Sequence, residues 1–189
     1  MSKVWNERLN VIEKQVCSGT KALNGTLDNV IAVDAGGGLV TIPRTAHGFS
    51  VGNYVQIAGS VSYNGVYKII AKVADTFDIY ATFVADTFAG TETAKTALKP
   101  GVDFQMIEAR LHLSAVGGAV EDYTITLDSE NGTAFDVVLE TAAMNADADV
   151  PTLWNEKKRC FNSGDVLLFE YLNTNNKTWG LEVIYRIFS

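Results

Sequence analysis

Residues 165–188 read DVLLFEYLNTNNKTWGLEVIYRIF, and their pattern decides the fold class. The first seven are nearly all apolar, as in a strand buried on both faces. Asn173 to Lys177 is a polar turn. From Trp179 onward the apolar residues alternate: Trp179, Leu181, Val183, Tyr185 and Ile187 make one face of a long closing strand. The pattern extends upstream. Glu121 to Leu127 sets Tyr123, Ile125 and Leu127 against Asp122, Thr124 and Thr126. An Asn131-Gly132 turn then leads to an apolar run, Phe135 to Leu139, read as its hairpin partner. Met106 to Leu113 also alternates, and Ala- and Asp-rich Thr141 to Asp149 reads as a loop or a short helix. Residues 102–189 are therefore expected to form an antiparallel, jelly-roll-like β-sandwich. A body of this size buries about 60–65% of its surface, which leaves a motive for oligomerisation.

Residues 39–94 read as short strands between turn signals. Leu39 to Ile42, Tyr54 to Ile57, Val66 to Ile70 and Thr76 to Tyr80 are the runs, and Asn64-Gly65 is one of the turns. That spacing suggests a small β-barrel or sandwich. The stretch Val73 to Phe77, VADTF, recurs at Val84 to Phe88. Two copies fit successive turn-and-strand units but are too few for a solenoid.

The same stretch carries a family resemblance. Leu39-Val40-Thr41-Ile42, Ala46-His47-Gly48-Phe49, Val51 to Gly59, Asn64 to Ile69 and Asp75 to Tyr80 together resemble a β-barrel module frequent in tailed-bacteriophage structural proteins. That module is often labelled by its similarity to the first catalytic-cysteine half-domain of ubiquitin-activating enzymes. Asn53 stands where the phage modules usually have Asp, a conservative change in a turn. Residues 39–93 contain no cysteine, so the label brings no thioester chemistry here. The resemblance implies a non-enzymatic virion structural protein, with a capsid decoration or spike protein the leading expectation. A tail, adaptor or fibre component is the alternative, as is a glycan-binding receptor-recognition module. The expected partners are other copies of the chain, as a homotrimer, and other virion proteins, with a host surface glycan as a further candidate. The expected location is the virion, after synthesis in the host cytoplasm.

Residues 1–38 read as an N-terminal helix or arm with a linker. Trp5, Leu9, Ile12 and Val16 recur at spacings that share a helical face, and Ser18-Gly19 would end the helix. Such a stripe either packs on its own domain or docks on a neighbouring subunit; these four residues are the candidate docking set. Residues 95–101, closing on Pro100-Gly101, read as a second linker.

Composition narrows the function classes. With 47% apolar and 20% charged residues the chain is globular rather than disordered. No apolar run approaches the ~18 residues of a membrane span, and the first residues lack a signal-peptide core. A formal charge of −7 disfavours nucleic acid as a partner, and Lys157-Lys158-Arg159 reads as a solvated turn. Cys17 and Cys160 suggest free thiols in a reducing compartment. Asn24, Asn131 and Asn176 head Asn-X-Thr sequons that read as turn chemistry.

The catalytic inventory is thin, and no catalytic, cofactor or metal residues are assigned. His47 reads as a loop cap and His112 as a strand surface residue. No Gly-x-Ser-x-Gly elbow occurs, and Gly36-Gly37-Gly38 lacks the Lys and the helix of a phosphate cradle. Asp147, Asp149 and Asp165 are acidic but lack calcium-loop spacing. For sugars, whose apolar faces stack on aromatic rings, the candidates are Trp154 and Trp179, weighed against their use as core residues.

Overall fold

A computed structural model describes residues 10–130, 133–153 and 160–188. Among these residues the fold is all-β, with antiparallel pairing throughout and no α-helix. The first half of the chain supplies β1 (Asn10–Gly19), β2 (Asn24–Thr26), β3 (Val33–Gly36), β4 (Leu39–Pro43), β5 (Tyr54–Ala58), β6 (Gly65–Lys72), β7 (Thr76–Tyr80) and β8 (Thr93–Leu98). The second half supplies β9 (Phe104–Leu113), β10 (Asp122–Asp128), β11 (Val137–Ala143), β12 (Asp149–Leu153), β13 (Cys160–Phe161), β14 (Val166–Glu170) and β15 (Trp179–Phe188), with a 3-10 turn at Thr133–Phe135.

One sheet runs β1-β15-β9-β12, and β13 also pairs with β9. The other runs β11-β10-β14-β8-β5-β6-β7-β4-β3, with β2 on β8. The first sheet packs on the β10-β14-β8 part of the second. Their shared core includes Trp179, Leu181, Val183, Tyr185, Phe104, Leu111, Tyr123 and Phe169. The alternating face expected of the final strand is thus the buried one, because burying those rings and branched chains is the main driving force available to it. A second core lies in the β4–β7 region around Phe49, Tyr63, Phe77, Phe88, Val55 and Ile79.

Four expectations are corrected. The first is the N-terminal helix: from Asn10 on, the chain is a strand, zipped along β15 from Asn10↔Phe188 to Gly19↔Trp179. Its alternate residues Gln15 and Cys17 are buried, while Ile12 and Val16 face out. Ile12 and Val16 are four residues apart, a spacing that shares a face in a helix and in a strand alike. A ten-residue strand edge on β15 would otherwise leave its backbone groups unpaired.

The second correction is the barrel. Among the described residues the sheet stays open, because the edge of β5 that could close it is taken by β8, with Tyr54↔Ala97 and Ala58↔Thr93 paired. The third concerns residues 95–101, whose first four residues belong to β8, flanked by β5 and β14. The fourth concerns only the ends of 141–149: Thr141–Ala143 end β11 and Asp149 begins β12, while the residues between them form the expected loop.

The repeated VADTF stretch performs one job twice. Phe77 and Phe88 are both fully buried. Asp75 accepts a hydrogen bond from the Ala46 amide (2.9 Å), and Asp86 accepts one from the Ser62 amide (2.8 Å). Only the first copy enters a regular strand. The second is held by Tyr63, whose hydroxyl donates to Val84 O and accepts from Val84 N.

Candidate functional site

The surface selected by the sequence lies on β1. Ile12, Lys14, Val16 and Ser18 alternate outward along this edge strand, and Ile12 and Val16 are 60% and 45% exposed. The neighbouring outward positions on β15 are Gly180 and Glu182, and on β9 they are Glu108, Arg110 and His112. The charges on this face are paired locally, Lys14 with Glu182 (2.5 Å) and Arg110 with Glu108 (2.6 Å), and the His112 ring is hydrogen-bonded to Asp149 (2.5 Å). Exposed pairs of this kind each contribute at most about 1 kcal/mol.

Two hollows flank this strand. Above Gly180, where a side chain is missing from a central strand, a notch of about 210 Å³ is lined by Val16, Ser18, Arg110, His112 and Glu182. A cleft of about 410 Å³ lies between the β1 edge and the Ser50–Asn53 turn. Glu13 and Tyr185 meet in it, the Tyr185 hydroxyl donating to Glu13 (2.8 Å). Burial and that carboxylate push the tyrosine's ionisation well above its usual range. Lys68 also lines the cleft, its ammonium 5.7 Å from the Tyr54 ring centre.

Of the residues expected to dock, Trp5 and Leu9 lie outside the described residues, as does Trp154. Trp179 is corrected as a sugar contact. It is 2% exposed, and its indole nitrogen donates to Lys21 O (2.6 Å), so its ring belongs to the core. Asn173 is also internal, donating to Thr20 O and Lys177 O while accepting from Lys177 N.

His47 is a fold element. Its Nδ1 accepts from the Phe49 amide (2.9 Å), which puts the ring proton on Nε2, facing Val73 O and Thr76 O. Burial holds its pKa below the usual histidine value, opposed by those two carbonyls and reinforced by Arg44 and Lys72. The unfolded chain therefore takes up the proton first as pH drops. Stability from His47 is complete above about pH 6.5 and is lost as pH falls through the folded pKa, at up to ~1.4 kcal/mol per pH unit. Denaturant titrations from pH 7.5 downward should show this loss in the parent and in His112→Gln, and a flatter profile in His47→Gln. An equal slope in all three would refute the assignment.

Arg44 is another residue that sequence reading missed. Its guanidinium is buried, donates to Ala94 O (2.9 Å) and Ala22 O (2.5 Å), and sits 4.8 Å from the Phe49 ring centre. Burial lowers its pKa to about 10, with Asp28 opposing the shift, so it stays charged. Cys17 is pushed up to about 12 by burial and is a thiol at neutral pH rather than a nucleophile. Among the described residues no group of three or more His, Cys, Asp or Glu side chains converges as metal ligands. Asp149 pairs with His112, and Asp165 accepts from the Asn162 amide. Gly36 to Gly38 make the β3–β4 hairpin tip, with no helix behind them.

These features define a class: an all-β protein of two antiparallel sheets with paired charges and apolar side chains on its outer surfaces. Comparison with protein-family models, curated proteins and solved structures gives no match to this chain.

Proposed function

We propose that this chain is a non-enzymatic structural protein of a tailed-bacteriophage virion, a capsid decoration or spike protein that assembles through subunit contacts. The observation that carries the reading is the placement of its apolar surface. Ile12 and Val16 stand out from a sheet edge. A second group, Val30, Ile31, Val33, Tyr80, Phe83 and Val84, is also exposed. Its two segments are held side by side by backbone bonds from Ala32 N to Asp86 O, Phe88 N to Val30 O and Ala81 N to Gly38 O. Exposed apolar clusters on a soluble body mark contact surfaces, and repeated weak contacts gain strength through avidity. The resemblance of residues 39–93 to phage structural modules supports the virion setting. We also read the two-sheet part as jelly-roll-like, because β8, β9 and β10, and later β14 and β15, step between the two sheets.

Two measurements test the reading. Light scattering on the purified chain should give a trimer, and Ile12→Asp with Val16→Asp should shift it to monomer while the parent circular dichroism spectrum is kept. Mass spectrometry of purified particles of the encoding phage should find the chain. A monomer at every concentration, together with particles lacking the chain, overturns the proposal. Sugar recognition is the second reading, favoured by the notch above Gly180, where Ser18, Arg110, His112 and Glu182 stand beside the apolar Val16. A glycan array without signal removes it.

A further inference from the structure

We propose that Lys95 and Asn24 condense into an intramolecular amide, with Glu170 as the proton-transferring residue. Lys95 lies on β8 where two strands meet along one edge. β5 occupies the opposite edge of β8, so β14 (Phe169↔Thr96) and β2 (Asn24↔Lys95) follow one another along the remaining one. Asn24 is therefore the direct cross-strand partner of Lys95. Such partners share a face, with Cβ atoms about 4.5–5.5 Å apart. Glu170 ends β14 at the same junction, its carboxylate 2.9 Å from the Lys95 ammonium, and the two side chains are only 21% and 26% exposed. The side-chain carbonyl oxygen of Asn24 is buried and has no hydrogen-bond partner. The site therefore holds an amide carbonyl lacking a donor beside an amine and a carboxylate.

The three groups suffice for the reaction. Glu170 accepts a proton from the Lys95 ammonium, which frees the nitrogen lone pair. That nitrogen attacks Asn24 Cγ, and the carbonyl π pair moves to Oδ1. The new C–N bond stays as the carbonyl reforms and the original C–N bond of the amide breaks. Glu170 relays the proton from the attacking nitrogen to the departing one. Ammonia leaves, taking the remaining proton as ammonium at neutral pH, and Glu170 returns to carboxylate. No oxidation state changes, and no co-reactant is needed. The product joins β2 to β8 covalently, a cross-link suited to a body under load, and it stands whether or not the virion reading does.

Intact mass spectrometry of the full chain tests this. The parent should weigh one ammonia less than its sequence after incubation. Lys95→Arg and Glu170→Gln should each have full mass, and Asn24→Asp should lose one water instead. Trypsin should leave Lys95 uncut and yield a branched peptide joining residues 22–44 to residues 73–110. Full mass in the parent after prolonged incubation overturns the proposal. So does an ammonia loss that persists in Lys95→Arg, which would indicate a succinimide at an Asn-Gly pair.

Discussion

Trp179→Ala is expected to destabilise the protein by roughly 3–5 kcal/mol, the range for removing a fully buried aromatic side chain from a core. Trp179 begins β15 and packs where the two sheets are joined through β1. A Cβ placed on Gly19 or on Gly48 would each meet its ring at 3.1 Å, so the indole fills the space between two bare backbone segments. Those segments cannot collapse inward without breaking the Ser18 N to Gly48 O bond (3.0 Å). The substitution also leaves Lys21 O without the indole donor. Both effects act in the same direction, which places the cost toward the upper end of the range. Trp179→Phe restores most of the volume but not the donor and should cost less than half as much. Guanidinium denaturation, read as a shift in midpoint at constant slope, measures both. A loss below about 1 kcal/mol for Trp179→Ala would show that this contact is not structural.

Gly48→Ala is expected to be nearly as damaging, at roughly 2–5 kcal/mol. Gly48 has φ +72°, and an added Cβ would lie 2.7 Å from Ser18 O, a backbone atom that cannot swing aside. The left-handed conformation costs a non-glycine residue about 1–2 kcal/mol, and forcing atoms into packed space adds about 1–3 kcal/mol. Gly37→Ala separates these two contributions. Gly37 has φ +62° but nothing within 4 Å of its missing Cβ, so only the conformational part applies there. Equal losses at the two positions would show that the Gly48 contact with β1 carries no energy.

These two substitutions meet at β1, the element that sequence reading assigned least well. Ile12 and Val16 satisfy a helical spacing, whereas Gln15 and Cys17 face inward only because β15 exists to pair with. Gln15 then holds the sheets together, donating to Ala97 O and accepting from Tyr54 N. A glutamine between Lys14 and Val16 gives no advance sign of that role. Arg44 is similar: in sequence it follows a proline at a strand end, and its burial depends on carbonyls 22 and 50 residues away. Lys95, Asn24 and Glu170 share no sequence neighbourhood and meet only through strand order. His47, by contrast, was legible as a loop cap, since an Ala-His-Gly turn offers its ring backbone groups close by.

Local alternation was enough to determine that this chain is built of strands and which residues of the final strand are buried, because side-chain period and burial are properties of a few consecutive residues. Which strands neighbour one another was decided in three dimensions. An edge left open by one strand is filled by whichever distant segment can satisfy its backbone hydrogen bonds, as β8 fills the edge of β5 and β1 that of β15, and no local pattern encodes that choice.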